Sequence, residues 1–423
     1  MASRRTRDGL EAFWAIALLA LMAATFRLWL PTSWTGAGDY PAVPMFDLAT
    51  VGLTQQAANV LSIATPFVIA IACLVTVGGG RWRWAWPIIA VSLVIAVFLD
   101  QHRLQPWVYQ SFLYAILFAI SPRSESGRLP EATFRLIRLL TISVYVFSAA
   151  GKLDFQFLHT VGQDFLRVQL EWVGVDVSTW PTKTRLFAAA IFPAFELCVA
   201  IALFWPRTRM FGVWMATAMH VGLIAVLSPM GLGHSPGVIV WNVVMALQAW
   251  WLFAGPVIEI EDDAAINSDA KADAGRVGPM AWAVVGFAIA MPIFERAGYW
   301  DHWLSWALYS PHSSRVTLQI HETAIDRLPE EWRVAVTADE ESDRWHDLNL
   351  GQLSLAVRGV PAVPQARYQW ALADQIIELA GIENQVRGKV QSASDRWTGK
   401  RDAQWWTRPD EFQKAGDAFW LVP

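Results

Sequence analysis

The chain has little of what soluble proteins carry in quantity. Only 17% of its 423 residues are charged, and 33 Lys and Arg nearly balance 37 Asp and Glu for a formal charge of −4. The basic residues are scattered rather than striped, so the electrostatic footprint of a nucleic-acid binder is missing. Cysteine is almost absent. Cys73 and Cys198 each lie inside an apolar stretch, which suits a small buried side chain and builds neither a CxxC site nor a disulfide framework. The run Gly78, Gly79, Gly80 lacks a following Gly-Lys-Ser/Thr and reads as a turn, not a phosphate loop. Among the histidines, no pair has the spacing of a known ligand motif, and His321-Glu322 lacks the second histidine of HExxH, so no metal site is read. Neither an internal repeat nor a low-complexity tract occurs.

What is present is apolar: 54% hydrophobic residues, 25 tryptophans and a mean hydropathy of +0.31. These residues fall into repeated stretches near the roughly 20 that a bilayer core requires. The expected spans are Glu11–Leu30, Asn59–Thr76, Trp84–Leu99, Trp107–Ile120, Phe134–Ala150, Arg185–Trp205, Met210–Leu227, Pro236–Phe253 and Pro279–Phe294. The first follows Arg4, Arg5 and Arg7 without a small-residue cleavage site, which predicts a retained helix. Those arginines, with Arg81, Arg83, Arg123, Arg128, Arg135, Arg138, Arg207 and Arg209, fall on one side, which the positive-inside rule makes cytoplasmic. Nine crossings in a bacterial inner membrane then leave the N-terminus inside and the C-terminus outside. The loops around Asp100–Pro106, Gly151–Lys183 and Gly231–Ser235 share the outer side. Tryptophans at the predicted helix ends, such as Trp84, Trp107 and Trp205, suit an interfacial belt.

The expected architecture is an all-α polytopic membrane bundle of about nine helices over residues 1–298, followed by a small extracytoplasmic α+β domain over 299–423. Residues 257–278 form a cytoplasmic linker within the first, its Glu259–Arg276 stretch rich in Asp, Ala and Glu. In the second, Val316–Ile320, Trp332–Val336 and Leu353–Val360 read as strands and about Gln365–Val390 as a helix.

Titratable groups at membrane depth are costly and call for a partner or a role. Tyr145, Ser148 and Lys152 are spaced to share one face at the outer end of the fifth helix. Lys152 there either snorkels to the interface or, desolvated, serves as a general base. Glu196 and His220 each lie about 15 Å deep on adjacent antiparallel helices, which predicts a hydrogen-bonded pair, as a helix clamp or a proton relay. Asn242 is a weaker member of that set. The loop Asp100–Trp107 is dense in polar groups, and its Arg103 either holds an anionic headgroup or ties back to Asp100. Gly231, Gly233 and His234 form an outer turn.

The run Phe147-Ser-Ala-Ala-Gly-Lys-Leu-Asp154 at the outer end of a middle helix resembles the vitamin K-dependent γ-carboxylase superfamily, which includes the bacterial horizontally transferred transmembrane proteins. Tyr109-Gln-Ser-Phe-Leu-Tyr114 is similar to that family's Asn-His-Ser-Tyr-Leu-Tyr segment, with Tyr109 in place of Asn and Gln110 in place of His. The resemblance implies a quinone- or lipid-associated membrane enzyme with an outward-facing site. It makes Lys152 the base and a reduced, vitamin K-like quinone the cofactor, with Glu196 and His220, singled out by their depth, as the further catalytic candidates. His102, Arg103, Tyr109, Gln110, Tyr114, Tyr145 and His234 would lie around that cofactor. The alternative is a non-catalytic membrane scaffold whose extracytoplasmic tail recruits a protein partner. The lipid bilayer is the partner common to both readings.

Overall fold

The computed structural model describes residues 9–36, 39–79, 84–123, 129–255, 277–339 and 342–419. Within them the chain is mostly helical, with one antiparallel sheet near the C-terminus. Ten helices build or flank the bundle: α1 Leu10–Ala24, α2 Gln55–Val77, α3 Ala85–Leu99, α4 Pro106–Ile120, α5 Glu131–Lys152, α6 Val161–Glu171, α7 Thr182–Phe204, α8 Arg209–Leu227, α9 Pro236–Phe253 and α10 Pro279–Ala290. Proline in the first turn starts α4, α9 and α10, where its missing N–H has no helical partner to lose.

Among the described residues, six helices are long and apolar enough to cross a bilayer: α2, α5, α7, α8, α9 and α10 with its 3₁₀ extension to Ala297. The chain is a multi-pass membrane protein. Of the nine expected spans, the other three, α1, α3 and α4, are apolar helices of 15 residues each. That length covers about 22 Å, short of a bilayer core of about 30 Å. The expected first span breaks at Thr25, which leaves helical geometry while its hydroxyl donates to the Leu21 carbonyl at 2.7 Å and accepts from Trp29 Nε1 at 3.1 Å. A separate short helix, Phe26–Trp29, follows.

Neighbouring helices pack in chain order, α1 on α2, α2 on α3, α3 on α4, then α7 on α8 and α8 on α9, while α5 packs on α7 and α1 returns to α9. The bundle's buried core includes Trp14, Trp86, Phe118, Leu136 and Trp241. A second core lies under the sheet, whose order is β2 (Val336–Asp339), β3 (Ser342–Leu348), β1 (Arg315–His321), β4 (Val386–Gln391), β5 (Ala403–Trp406). Central β1 sets Ile320 opposite His346 on one side and Val386 on the other, and α12 (Ala366–Ala380) packs against it. Gly388 is required in β4, because a Cβ there would lie 2.1 Å from the Thr317 carbonyl oxygen.

Within this domain only the strand around Val316–Ile320 lies where the alternation placed it. Trp332 belongs to a helical turn, Glu330–Arg333, that precedes β2. Leu353–Val360 falls largely in a helix, α11 (Leu350–Arg358), because Asn349 caps it by accepting from Gln352 N at 2.9 Å and Leu350, Leu353 and Val357 share its buried face. The long helix expected to Val390 stops at Gly381, whose φ of +61° suits glycine, and Val386–Gln391 becomes a strand. The linker stretch Glu259–Arg276 lies outside the described residues, as do Arg4, Arg5, Arg7, Arg81, Arg83 and Arg128.

The sheet domain docks onto the bundle through several contacts, Trp332 Nε1–H donating to the Asp39 carbonyl at 2.6 Å among them, and two joints concern the residues expected to bind. In the first, the loop after α3 meets α11. Asp100 pairs with Arg358 at 2.5 Å, and both side chains are buried. His102 Nε2–H donates to Ser354 Oγ at 3.0 Å, since that hydroxyl itself donates to the Val360 carbonyl at 2.6 Å. Arg103 does not tie back to Asp100 as one reading had it. Its guanidinium donates to the Leu28 carbonyl and to Ser62 Oγ. In the second joint, Arg396 donates to the Leu153 and Ala150 carbonyls at 2.8 and 2.9 Å, closing the C-terminal end of α5, and Gln156 reaches the Gly399 carbonyl at 2.9 Å. The loops that the sequence groups on one side, after α3 and after α5, do meet one domain.

The first joint titrates. Burial, followed by the charge of Arg358, pushes His102 down from 6.5 to about 4. A released imidazole would titrate near 6.5, so between these values the undocked form binds the proton and docking weakens as pH falls. The joint is at full strength above pH 6.5 and loses on the order of 3 kcal/mol by about pH 4. Protection factors of residues 100–105 and 350–361 in hydrogen exchange are expected to drop between pH 7 and pH 4.5, and His102→Gln to remove that drop. Equal protection in the wild type at both pH values would contradict the assignment.

Candidate functional site

The bundle and the docked domain enclose a partly open cavity of about 540 Å³. Tyr145, Ser148 and Lys152 of α5, Glu196 of α7, His220 of α8 and Asn242 of α9 supply polar groups to a mostly apolar wall, to which Gln169 of α6 and His234 also contribute. Residues 302–311 of the connector after α10 and the Val360–Pro364 segment of the domain cap one end. At the rim, Ile191 and Phe195 of α7 are exposed on the surface that faces lipid.

The three α5 residues share a face, as their spacing predicts. Lys152 Nζ donates to Ser148 Oγ at 2.6 Å, one helical turn back, and to Glu196 Oε2 at 2.6 Å. The expected Glu196–His220 pair is not formed. α7 packs between α5 and α8, and Glu196 turns to the α5 lysine. His220 bonds instead to Tyr145 and Asn242, both at 2.9 Å. The Asn242 amide donates to the Val238 carbonyl, so its Oδ1 accepts from His220 Nδ1–H, and the Tyr145 hydroxyl donates to His220 Nε2. Both ring nitrogens of a neutral imidazole are thereby used.

The surrounding residues of Phe147–Asp154 each have a local task. Gly151 lies where a Cβ would come within 2.7 Å of Ser310 Oγ, so glycine lets the connector approach α5. Asp154 pairs with Arg296 at 3.0 Å and caps the next helical turn by accepting from Gln156 N at 2.8 Å. At the capped end, the buried His234 Nδ1, Ser235 Oγ and Ser310 Oγ have no hydrogen-bond partner among the described residues. All three atoms are closed off from water; the lining residues with accessible polar atoms and no hydrogen-bond partner among the described residues include Gln169, through its amide, and His234, through Nε2.

Of the residues expected around a cofactor, Tyr145 and His234 line this cavity and His102, Arg103, Tyr109, Gln110 and Tyr114 do not. His102 and Arg103 serve the docking joint. Gln110 and Tyr114 belong to a buried network with Gln248, Trp241 and Thr141 that joins α4, α5 and α9. Tyr109 lies against Trp306, and lines a second, apolar groove of about 590 Å³ beside α10. One group of titratable residues escaped sequence reasoning: Glu295, His302 and His312 converge at the end of α10, although they match no ligand motif.

Residues 130–235, about a quarter of the chain, match the model of the family described as methylamine utilisation protein MauE. The matched stretch runs from the start of α5 to the residue before α9 and holds Tyr145, Ser148, Lys152, Glu196, His220 and His234. No curated protein and no solved structure matches the chain. The match overturns the carboxylase resemblance, whose run Phe147–Asp154 falls inside it. The quinone-dependent enzyme inferred from that resemblance falls with it.

A buried pair punishes loss of one partner more than loss of both, because a lone charge stays desolvated. Lys152→Met and Glu196→Leu are each expected to destabilise the detergent-solubilised protein by about 3–5 kcal/mol, and the double variant to return most of that stability. Unfolding curves in which the single changes are neutral would show that the pair is solvated and contributes nothing.

Proposed function

We propose that the chain is a MauE-type membrane protein whose working part is the cavity, where it binds a largely apolar molecule that carries one hydrogen-bonding end. The observation that carries this reading is a mostly apolar cavity to which Gln169 and His234 bring accessible polar atoms without a hydrogen-bond partner among the described residues. The exposed rim at Ile191 and Phe195 supports arrival of the molecule from the bilayer. Lys152–Glu196 and Tyr145–His220–Asn242 hold α5, α7, α8 and α9 at fixed distances around it. The family's description suggests the setting, methylamine utilisation, in which this binding serves. A quinone belongs to the chemical class described, and so do long-chain alcohols and lipids.

The topology belongs to the same proposal: nine crossings of a bacterial inner membrane, with α1, α3 and α4 as the short ones, the N-terminus inside and the sheet domain outside. It is supported by the position of Arg123 and Arg207 in chain turns, and of Arg135, Arg138 and Arg209 in the first turns of α5 and α8, at the helix ends opposite the docked domain.

A diazirine-bearing long-chain alcohol, photolysed with the protein in nanodiscs, tests the binding. Label is expected on α7 and α8 at the cavity wall, and Gln169→Leu with His234→Phe should weaken its capture about 10-fold, the effect of roughly 1.4 kcal/mol of hydrogen bonding. Labelling spread evenly over the lipid-facing surface would overturn the site. Undiminished growth on methylamine without this protein would remove the setting and leave the binding standing.

A further inference from the structure

Glu295, His302 and His312 lie on three separate pieces of chain: the 3₁₀ end of α10, the turn after Trp300 and the approach to β1. Their side chains converge. His302 Nδ1 lies 2.8 Å from Glu295 Oε1, and His312 Nε2 lies 3.0 Å from each carboxylate oxygen. All three candidate donor atoms fall within 4.8 Å of one another. Four ligands drawn around a zinc ion at about 2.0–2.1 Å stand about 3.3 Å apart, so these spacings need only small adjustment to receive one. Both imidazoles are almost wholly buried, and their rings meet edge to face with centroids 4.9 Å apart, which aims one nitrogen of each at the shared carboxylate. Arg296, the nearest cation in sequence, is turned away to Asp154 at 3.0 Å.

The connector between the two histidines has reason to be held. Trp306 and Tyr309 both carry a φ of +57°, a left-handed conformation that non-glycine residues rarely adopt. Between them this segment presents Ala307–Pro311 to the cavity as its cap. A link from Glu295 to both ends of the segment fixes that strained turn.

We propose that Glu295, His302 and His312 form a divalent transition-metal site of the zinc type, with two imidazoles, one carboxylate and a fourth position left to water, which staples the cavity's cap to the end of α10. The site is independent of what the cavity binds.

The test uses the full-length, tag-free protein in detergent, stripped with a chelator and then given zinc alone. One zinc per chain is expected by elemental analysis, with a rise in the unfolding temperature that the stripped protein lacks. Cobalt in its place should give the visible absorption of a four-coordinate ion. Loss of an outer partner of a metal ligand costs about 10–100-fold in affinity, so Glu295→Gln and His312→Gln, which remove ligands outright, should each cost about 100-fold or more. If the stripped wild type takes up no zinc and its unfolding temperature does not move, the proposal is wrong whatever the variants do. Equal zinc binding by folded Glu295→Gln and the wild type would equally overturn it.

Discussion

A carboxylate and a guanidinium withdrawn from water, Asp100 and Arg358 at 2.5 Å, tie the two halves of this protein to each other. Neither is tolerable alone at that burial, since an unpaired buried charge costs several kcal/mol. Each half therefore covers a charge that the other would leave unpaired. Around the pair, His102 is kept neutral, Arg103 is spent on Leu28 and Ser62, and the Arg358 guanidinium lies over the Tyr40 ring at 5.4 Å. Polar density that would be out of place in a bare membrane loop is ordinary in an interface.

The cavity follows from this docking. Its walls are helices of the bundle, but its cap is made of the Val360–Pro364 segment and the connector, which the bundle alone does not position. Intramembrane polar residues divide accordingly. Lys152–Glu196 and Tyr145–His220–Asn242 are internally satisfied and join helices, as polar residues in bilayers commonly do. Gln169 and His234, which also line the cavity, keep polar atoms without a hydrogen-bond partner among the described residues.

Much of the bundle was legible because membrane helices announce themselves by length and apolarity. Eight of the nine expected helices start and end within a few residues of their predicted bounds, and the ninth, Glu11–Leu30, is broken by the local hydrogen bonds of Thr25. The domain was harder: alternation in Leu353–Val360 read as a strand, while the Asn349 cap and the tertiary face of Leu350, Leu353 and Val357 made a helix. At the site, spacing along one helix correctly joined Tyr145, Ser148 and Lys152. Depth matching across helices wrongly joined Glu196 to His220, because depth says nothing about rotation around the helix axis. The Glu295–His302–His312 group had no local signal at all, since only the fold of the connector brings it together.

The central claim, that domain docking completes the cavity, is tested most directly from inside the wall. A Ser148→Cys variant in a Cys198→Ser background places a thiol where the buried Ser148 lines the cavity. Its reaction with a charged, membrane-impermeant thiol reagent should be slow while Asp100 and Arg358 are intact and should accelerate at least about 10-fold when Arg358→Ala releases the joint, the effect of roughly 1.4 kcal/mol in the opening equilibrium. Equal rates in the two proteins would show that the cavity is closed without the domain and would contradict the account.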